Sequence, residues 1–367
     1  MTDPVTGLPV VGMVGAGQLA RMTHQAAISL GLSLRVLAEH ADDGAALVTP
    51  NVELGGPADK AALRQFAASC DAVTFDHEHV PGELIADLES SGVVVRPSGA
   101  ALRFTQDKRA MRRRLEDLGL SVPAWSDDPT TFRPPYVAKA VTGGYDGRGV
   151  WFIDEGDQLP DVDLIVEERV PIMHELAIQV ARSATGEIRC WPVVETVQRD
   201  GICVEVVAPA PRLSPSLASE AERIAVTIAE QLDVVGLLAV ELFEAPQGLL
   251  VNELAMRPHN SGHWSIEGAT TSQFEQHLRA VLGWPLGDTK PVAPVTVMVN
   301  LLGGEATDLA RSLPSALGAV PNVAIHLYGK AARPGRKLGH VTALGSDVVE
   351  TRDRARAAVA ELRGERT

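Results

Sequence analysis

Two glutamates, Glu241 and Glu253, flank a short turn in the stretch AVELFEAPQGLLVNELA. The alternation of apolar and polar residues predicts a β-hairpin. If Pro246, Gln247 and Gly248 form a three-residue loop, the two carboxylates fall opposite each other on one sheet face. Charges that close repel unless a cation lies between them. A pair of oxygen ligands suits magnesium, or manganese, with waters and nucleotide phosphates completing the shell. Asn252 adds a further oxygen beside Glu253. Two solvated surface acids would give the same pattern.

Other polar groups cluster along the chain. MRPHNSGHW packs Arg257, His259, Asn260, Ser261, His263 and Trp264 into one short loop, more donors than a connection needs. YVAKA reads as a buried strand carrying a single lysine, Lys139, and VTGGYDGRGV follows it. There Gly143, Gly144, Gly147 and Gly149 surround Tyr145, Asp146 and Arg148. Glycine loses more freedom on folding than any other residue, so the segment is either a hairpin turn or a lid over phosphate. YGKAARPGRKLGH gathers Lys330, Arg333, Arg336, Lys337 and His340. In a chain of net charge −14, a phosphate clamp there competes with a solvated basic loop. FDHEHVP stacks Asp76, His77, Glu78 and His79; the spacing fits no zinc pattern, and the functional reading is hydroxyl recognition by a carboxylate. GAGQLA opens a helix after a strand, with Gly15, Gly17 and Ala20 in place and Glu39 ending the next strand. This loosely matches a dinucleotide fingerprint, but the favoured reading is a phosphate at the helix N-terminus.

These groups need elements to hold them. The first hundred residues alternate strand and helix: PVVGMVG, SLRVLAEH, DAVTFDHEHV and VVVRPS as strands, with QLARMTHQAAISLG, DKAALRQFAASC and GELIADLESSG as helices. That rhythm implies a parallel sheet flanked by helices, with ligands beyond the C-terminal strand ends. RPSGAALRFTQDKRAMRRRLEDLGL reads as one basic helix. Strands separated by turns then imply an antiparallel sheet, from YVAKAV through GICVEVVAPA, before the helix SLASEAERIAVTIAEQL and the acid hairpin. The helix SQFEQHLRAVLG opens on the capping pair Ser272 and Glu275 and stops at Gly283. The last seventy or so residues form a smaller mixed α/β segment.

The balance of 47 acidic and 33 basic side chains argues against general binding to nucleic acid or anionic membranes. No run approaches the length of a membrane span, and no basic residue precedes the first apolar stretch, which speaks against a signal peptide. Three widely spaced cysteines imply no disulfide framework and fit a reducing, cytoplasmic compartment.

Taken in order, the Gly-rich first turn, QDK, the strand lysine with GGYDGRG, the acid hairpin ending NE, RPHNSGHW and YGKAARPGRK resemble the ATP-grasp superfamily. Within it they resemble the 5-(carboxyamino)imidazole ribonucleotide synthetases. The resemblance implies an α/β (α+β overall) ATP-grasp fold. Its parts would be a Rossmann-like pre-ATP-grasp domain (1–105), a small ATP-lid domain (106–185), a large catalytic domain (186–300) and a C-terminal α+β segment closing the substrate site (301–367). It implies an ATP-dependent ligase joining bicarbonate to 5-aminoimidazole ribonucleotide through carboxyphosphate, with magnesium as metal and a homodimer as assembly.

Carried over position by position, Arg103, Lys108 and Lys139 match nucleotide and phosphate contacts, and Gly144 to Val150 the mobile phosphate loop (Gly144, Tyr145, Asp146, Gly147, Arg148, Gly149, Val150). Glu167, Glu168, Arg169 and Val170 match the adenine-binding segment, Glu175 the ribose acid, and Gln198 a further nucleotide contact. Glu241 and Glu253 match the metal ligands, with Asn252 beside them. Gln18, Leu19 and Glu78 match ribonucleotide contacts, and Lys330, Arg336 and Lys337 its 5′-phosphate clamp. Tyr145, Arg148, Arg257, His259 and Asn260 match the chemical centre. The sequence departs from the family pattern at Ala20, at Asp76, where glutamate is usual, and at Gln198, where histidine also occurs. A formate-dependent ATP-grasp transformylase is the rival within the superfamily, and a nicotinamide-dependent module is the rival outside it.

Overall fold

The structure is a computed structural model that describes residues 2–144 and 147–365. Chain order begins β1 (Val10–Val14), α1 (Gln18–Ser29), β2 (Ser33–Ala38), β3 (Val52–Leu54), α2 (Lys60–Ala67), β4 (Ala72–Phe75) and α3 (Gly82–Ser90). The four strands form a parallel sheet in the order β3-β2-β1-β4. β1 and β4 are buried along their whole length, as expected of parallel strands covered on both faces. The expected strand VVVRPS is reduced to a single parallel bridge, Val73 to Val95. Proline has no N–H for a ladder, and Pro97 closes the segment. β3 escaped the sequence reading because three residues carry too little periodicity.

The long basic helix is in fact two, α4 (Gly99–Gln106) and α5 (Lys108–Asp117). Asp107 between them is extended, and its carboxylate accepts the Ala110 N–H at 2.8 Å, capping α5. The small antiparallel sheet that follows is built from β5 (Trp125–Ser126), β6 (Tyr136–Ala140), β7 (Val150–Ile153) and β8 (Leu164–Glu168), in the order β5-β8-β6-β7. Its own core is Tyr136, Ala138, Ile153, Leu164 and Val166.

The remaining strands join one nine-stranded sheet. They are β9 (His174–Arg182), β10 (Ile188–Cys190), β11 (Val194–Arg199), β12 (Ile202–Ala208), β13 (Gly236–Ala245) and β14 (Gly248–Ala255), then β15 (Val295–Leu302), β16 (Ala324–Leu327) and β17 (Lys337–Gly345). The single antiparallel block read from the sequence is therefore split between two sheets, with the break between β8 and β9. The C-terminal strands extend the large sheet, because β15 pairs with β12 on one side and β17 on the other. Helices α6 (Pro215–Gln231), α7 (Ser265–Gly268), α8 (Gln273–Leu282), α9 (Leu309–Ala319) and α10 (Val348–Arg363) complete the chain. Ser272 Oγ accepts the Glu275 N–H at 3.2 Å, and Gly283 ends α8 at φ +70°, as the capping signals implied.

The N-terminal sheet packs on α8: Leu278 and Val281 share a core with Val11, Met13, Leu34 and Val36. That seam sets the C-terminal edge of the parallel sheet facing the β13–β14 hairpin. Among the described residues, no helix is long and apolar enough to cross a membrane.

Candidate active site

A cleft of about 1560 Å³ runs between the parallel sheet, the small sheet and the large sheet. Lys139 on β6, Glu175 on β9, and Glu241, Asn252 and Glu253 on the hairpin line it.

The two hairpin acids do pair, Glu241 with Glu253, but the turn is shorter than expected. Ala245 pairs with Gly248, leaving only Pro246 and Gln247 in the turn, and a bulge between Glu241 and Leu242 shifts the register. Asn252 is the extra residue, and it restores the opposition of the two acids that a two-residue turn alone would have lost. Burial pushes the Glu241 carboxyl up and the charge of Glu253 adds to that. Burial acts on Glu253 too, but Lys108 Nζ, 2.6 Å away, more than offsets it and holds that carboxyl down. Asn252 Oδ1 accepts from Lys139 Nζ at 3.0 Å, and its Nδ2 donates to Glu241 Oε2 at 3.4 Å.

Behind this group lies Arg112, fully buried on α5, which the sequence reading passed over. Its Nε donates to Glu167 Oε1 at 2.7 Å, and its Nη1 and Nη2 donate to the carbonyls of Val251 and Asn252 at 3.2 and 2.8 Å. Lys139 Nζ binds the other Glu167 oxygen at 2.7 Å. Burial alone would raise Glu167, yet Arg112 and Lys139 bring it to about 2. The Glu167 side chain is thus fully engaged with two cations, while Glu168, Arg169, Val170 and Gln198 line the cleft beside it. Burial pushes Glu175 up to about 7.

Gly143, Gly147 and Gly149 all take left-handed φ near +75°. Gly144, Gly147, Arg148 and Val150 line the cleft; Gly149 lies behind them, its carbonyl accepting the Ala140 N–H at 2.8 Å. Tyr145 and Asp146 lie outside the described residues. A Cβ on Gly147 would meet the Gly201 backbone at 3.1 Å, so Gly147 rests directly on the β11–β12 turn. Arg103 is exposed on α4 with its guanidinium over the Phe104 ring, outside the cleft lining.

At the cleft's other side Gln18, Leu19, Glu78, Lys330, Arg336 and Lys337 meet. Lys330 Nζ donates to Gln18 Oε1, joining residues 312 positions apart. The helix N-terminus that the sequence offered to phosphate is occupied from within: Gly17 N–H donates to Asp76 Oδ2 at 2.7 Å. Gly15, at φ +101°, has no room for a Cβ, which would sit 1.7 Å from Asp76 Oδ1. The basic side chains at this end are Lys330, Arg336 and Lys337. Arg257 Nε pairs with Glu78 Oε2, and His259 Nε2 lies 3.7 Å from Glu241 Oε1. Asn260 is nine-tenths buried against the same cleft, whereas His263 is fully buried behind it. His77 of the FDHEHVP cluster also lines the cleft, as do Thr142, Phe152 and Phe243, which were not expected. For Phe152 and Phe243, alternation within their strands was the only available signal.

Residues 8–106 match the ribonucleotide synthetase pre-ATP-grasp domain, residues 121–274 the ATP-grasp domain, and residues 296–354 the phosphoribosylaminoimidazole carboxylase C-terminal domain. Three modules in that order around one acid- and lysine-lined cleft define an ATP-grasp protein of the ribonucleotide synthetase class. A relative from Mycobacterium tuberculosis named N5-carboxyaminoimidazole ribonucleotide synthase is 55% identical, over 95% of this chain and 87% of the relative. The chain belongs to the N5-carboxyaminoimidazole ribonucleotide synthase family, as its motifs implied. Two solved structures of that family superpose closely. The Thermus thermophilus synthetase has a TM-score of 0.85 at 36% identity, covering 96% of this chain and 98% of that one. The Aspergillus clavatus synthase in complex with ADP and 5-aminoimidazole ribonucleotide has a TM-score of 0.87 at 31% identity, with the same coverage of 96% and 98%.

Proposed function

We propose that this chain is an ATP-dependent carbon–nitrogen ligase of purine biosynthesis. It joins bicarbonate to the exocyclic amine of 5-aminoimidazole ribonucleotide, giving 5-(carboxyamino)imidazole ribonucleotide, ADP and phosphate. The observation that carries this reading is the convergence on one cleft of a basic side, Lys330 with Gln18, and an acid–lysine side, Lys139 with Glu241 and Glu253. The ligands named for the Aspergillus clavatus structure, ADP and 5-aminoimidazole ribonucleotide, correspond to two such subsites.

Bicarbonate is a poor electrophile, so it first takes the γ-phosphoryl group of ATP to become carboxyphosphate. That step asks for positioning and charge neutralisation rather than covalent help. Lys139 and Arg148 face the transferred group, and the Gly144–Val150 loop wraps the phosphates. Glu168 to Val170 and Gln198 hold the base, and the desolvated Glu175 accepts a ribose hydroxyl. Glu167 acts through Lys139, whose ammonium it holds in place. Lys108 acts through Glu253; Arg103 has no role in this scheme. The amine nitrogen then bonds to the carboxyl carbon, of carboxyphosphate or of CO2 released from it, phosphate leaves with the C–O electron pair, and the proton shed by the nitrogen is taken up by the released phosphate. Arg257, His259 and Asn260 border that step, while Lys330, Arg336 and Lys337 hold the ribonucleotide phosphate and Gln18, Leu19 and Glu78 the rest of the molecule. Carboxyphosphate hydrolyses readily, so a loop that shuts out water has a direct use.

The donor set fits magnesium or manganese: Glu241 and Glu253 are hard oxygen ligands, half-buried at the cleft wall and mutually repelling, and two carboxylates suit an ion that also takes phosphate oxygens. When bound, the ion neutralises developing charge on the phosphates. We retain the division into 1–105, 106–185, 186–300 and 301–367 as working units, with β9 of the second paired into the large sheet. The acidic, cysteine-poor composition and the family resemblance support a cytoplasmic homodimer.

ADP release should require bicarbonate and rise when 5-aminoimidazole ribonucleotide is added. Dependence on formate in place of bicarbonate, or ADP release indifferent to the ribonucleotide, overturns the assignment.

A further inference from the structure

His259 is gripped by two buried glutamines from different elements. Gln273, fully buried at the first turn of α8, brackets the His259 backbone: its Oε1 accepts the His259 N–H at 2.9 Å and its Nε2 donates to the His259 carbonyl at 2.8 Å. The fit is close enough that a Cβ on Gly262 would lie 2.4 Å from Gln273 Oε1. The ring is held by a second chain of contacts. His259 Nδ1 faces the Ser261 backbone N–H at 3.4 Å and Ser261 Oγ at 2.8 Å. Gln179 on β9, 1% exposed, places its Nε2 2.7 Å from the same Oγ.

The direction of this chain follows from its fixed donor. A backbone N–H can only donate, so Nδ1 is the unprotonated ring nitrogen. The Ser261 hydroxyl then donates to Nδ1 and accepts from the Gln179 amide, which in turn fixes which way that amide points. The neutral ring is left with its proton on Nε2, the nitrogen turned toward Glu241. Hydrogen bonding at one ring nitrogen dictates the state of the other.

We propose that Gln179 and Gln273 are positioning residues for His259. Gln273 fixes its backbone, and Gln179, by holding the Ser261 hydroxyl as a donor to Nδ1, reinforces the Nε2–H tautomer that the Ser261 N–H also favours, so that a donor faces the cleft. The consequence for turnover rests on the reaction proposed above; the tautomer does not.

The test is 15N NMR of the histidine rings, titrated upward from about pH 8.5 until the shifts reach their neutral-imidazole plateau, with the His259 signal assigned by its loss in His259→Gln. The wild-type ring should show a pyridine-type Nδ1 and a pyrrole-type Nε2. Gln179→Glu replaces the donor by an acceptor that draws the Ser261 proton away, so the Nδ1–H form should gain population; Gln179→Leu, which removes the donor and frees the hydroxyl to turn, should shift the ring the same way if Gln179→Glu fails to fold. Steady-state kinetics of the folded variants, Gln273→Met included, should show kcat down by about tenfold with KM for ATP changed by less than about twofold. A wild-type ring protonated on Nδ1, or a tautomer unmoved in the variants, overturns the proposal. Altered tautomers in a protein whose ADP release ignores the ribonucleotide uphold the lock and overturn the reaction instead.

Discussion

Glu78 and Arg257 form an ion pair at 2.8 Å across 179 residues of sequence, joining the exit of β4 to the loop that follows β14. Each side chain is about one-fifth exposed, at 18% and 19%. The pair aims one guanidinium edge at the parallel-sheet side of the cleft and leaves the rest of the loop to face the hairpin acids. Arg257→Ala should therefore lower kcat by about a thousandfold, the scale of losing an oriented charge at a reacting group. A pair four-fifths buried lies between the exposed and buried regimes, so its loss should cost about 1–3 kcal/mol, and the kinetics are read at a temperature where circular dichroism shows the variant folded. Near-normal turnover would end the role given to Arg257.

The basic side of the cleft can be separated from the acid–lysine side. Lys330→Ala combined with Lys337→Ala should raise KM for the ribonucleotide by about a hundredfold, from two lost charge-assisted contacts. KM for ATP should stay within about twofold. Equal changes in both constants, measured by initial rates, would contradict the clamp.

Arg112 tests a different property, stability. Its removal would strand half of the charge balance around Glu167, which is 2% exposed. Arg112→Ala should cost about 3–5 kcal/mol in urea unfolding, the usual range for breaking a buried pair by one partner. Loss below about 1 kcal/mol would show that water or Lys139 alone satisfies Glu167.

Much of this site was legible in the chain, and the misses have physical causes. Glu241 and Glu253 were matched by strand alternation, which gave the right pair from the wrong turn, because the Asn252 bulge compensates one residue for another. Asp107 is a typical capping residue, so the break between α4 and α5 was readable but was masked by the continuous basic pattern around it. Arg112 was not readable: a buried arginine is defined by partners 55 and 140 residues away. The parallel-sheet helix N-terminus misled for the opposite reason, since nothing local reveals that Asp76 fills it. The membership of β15 to β17 in the large sheet depends on long-range pairing that composition does not encode.

Stability should fall on the acid side of neutrality. Burial holds His263, His277 and His340 well below the usual imidazole value, His277 at about 3. Because the folded values are depressed, these rings bind protons in the unfolded chain first. Their contribution is complete above about pH 6.5 and is lost as pH falls from there toward about 3. Each ring adds a slope of about 1.4 kcal/mol per pH unit within its window. Urea midpoints between about pH 7.5 and 4.5 should drop steeply, and His277→Asn should flatten the curve. An unchanged slope in that variant would remove His277 from the account.

Gly147 and Gly201 both take φ +74° and touch backbone to backbone. Gly201→Ala adds a methyl 3.0 Å from the Gly147 Cα in a conformation alanine disfavours. It should raise KM for ATP by about tenfold and increase ADP release uncoupled from carboxylation. Tight coupling in that variant would mean the contact is incidental.

The Gln18–Lys330 contact also orders events in time. As the chain leaves the ribosome, Lys139, Glu241, Glu253 and Arg257 are all available long before Lys330 emerges. The phosphoryl-transfer residues are therefore synthesised before the residues that capture the acceptor, and the large sheet is completed only by the strands that come last. Because β17 lies beyond Lys330 and pairs with β15, proteolysis that removes the clamp would also strip a strand from the sheet that carries the acids.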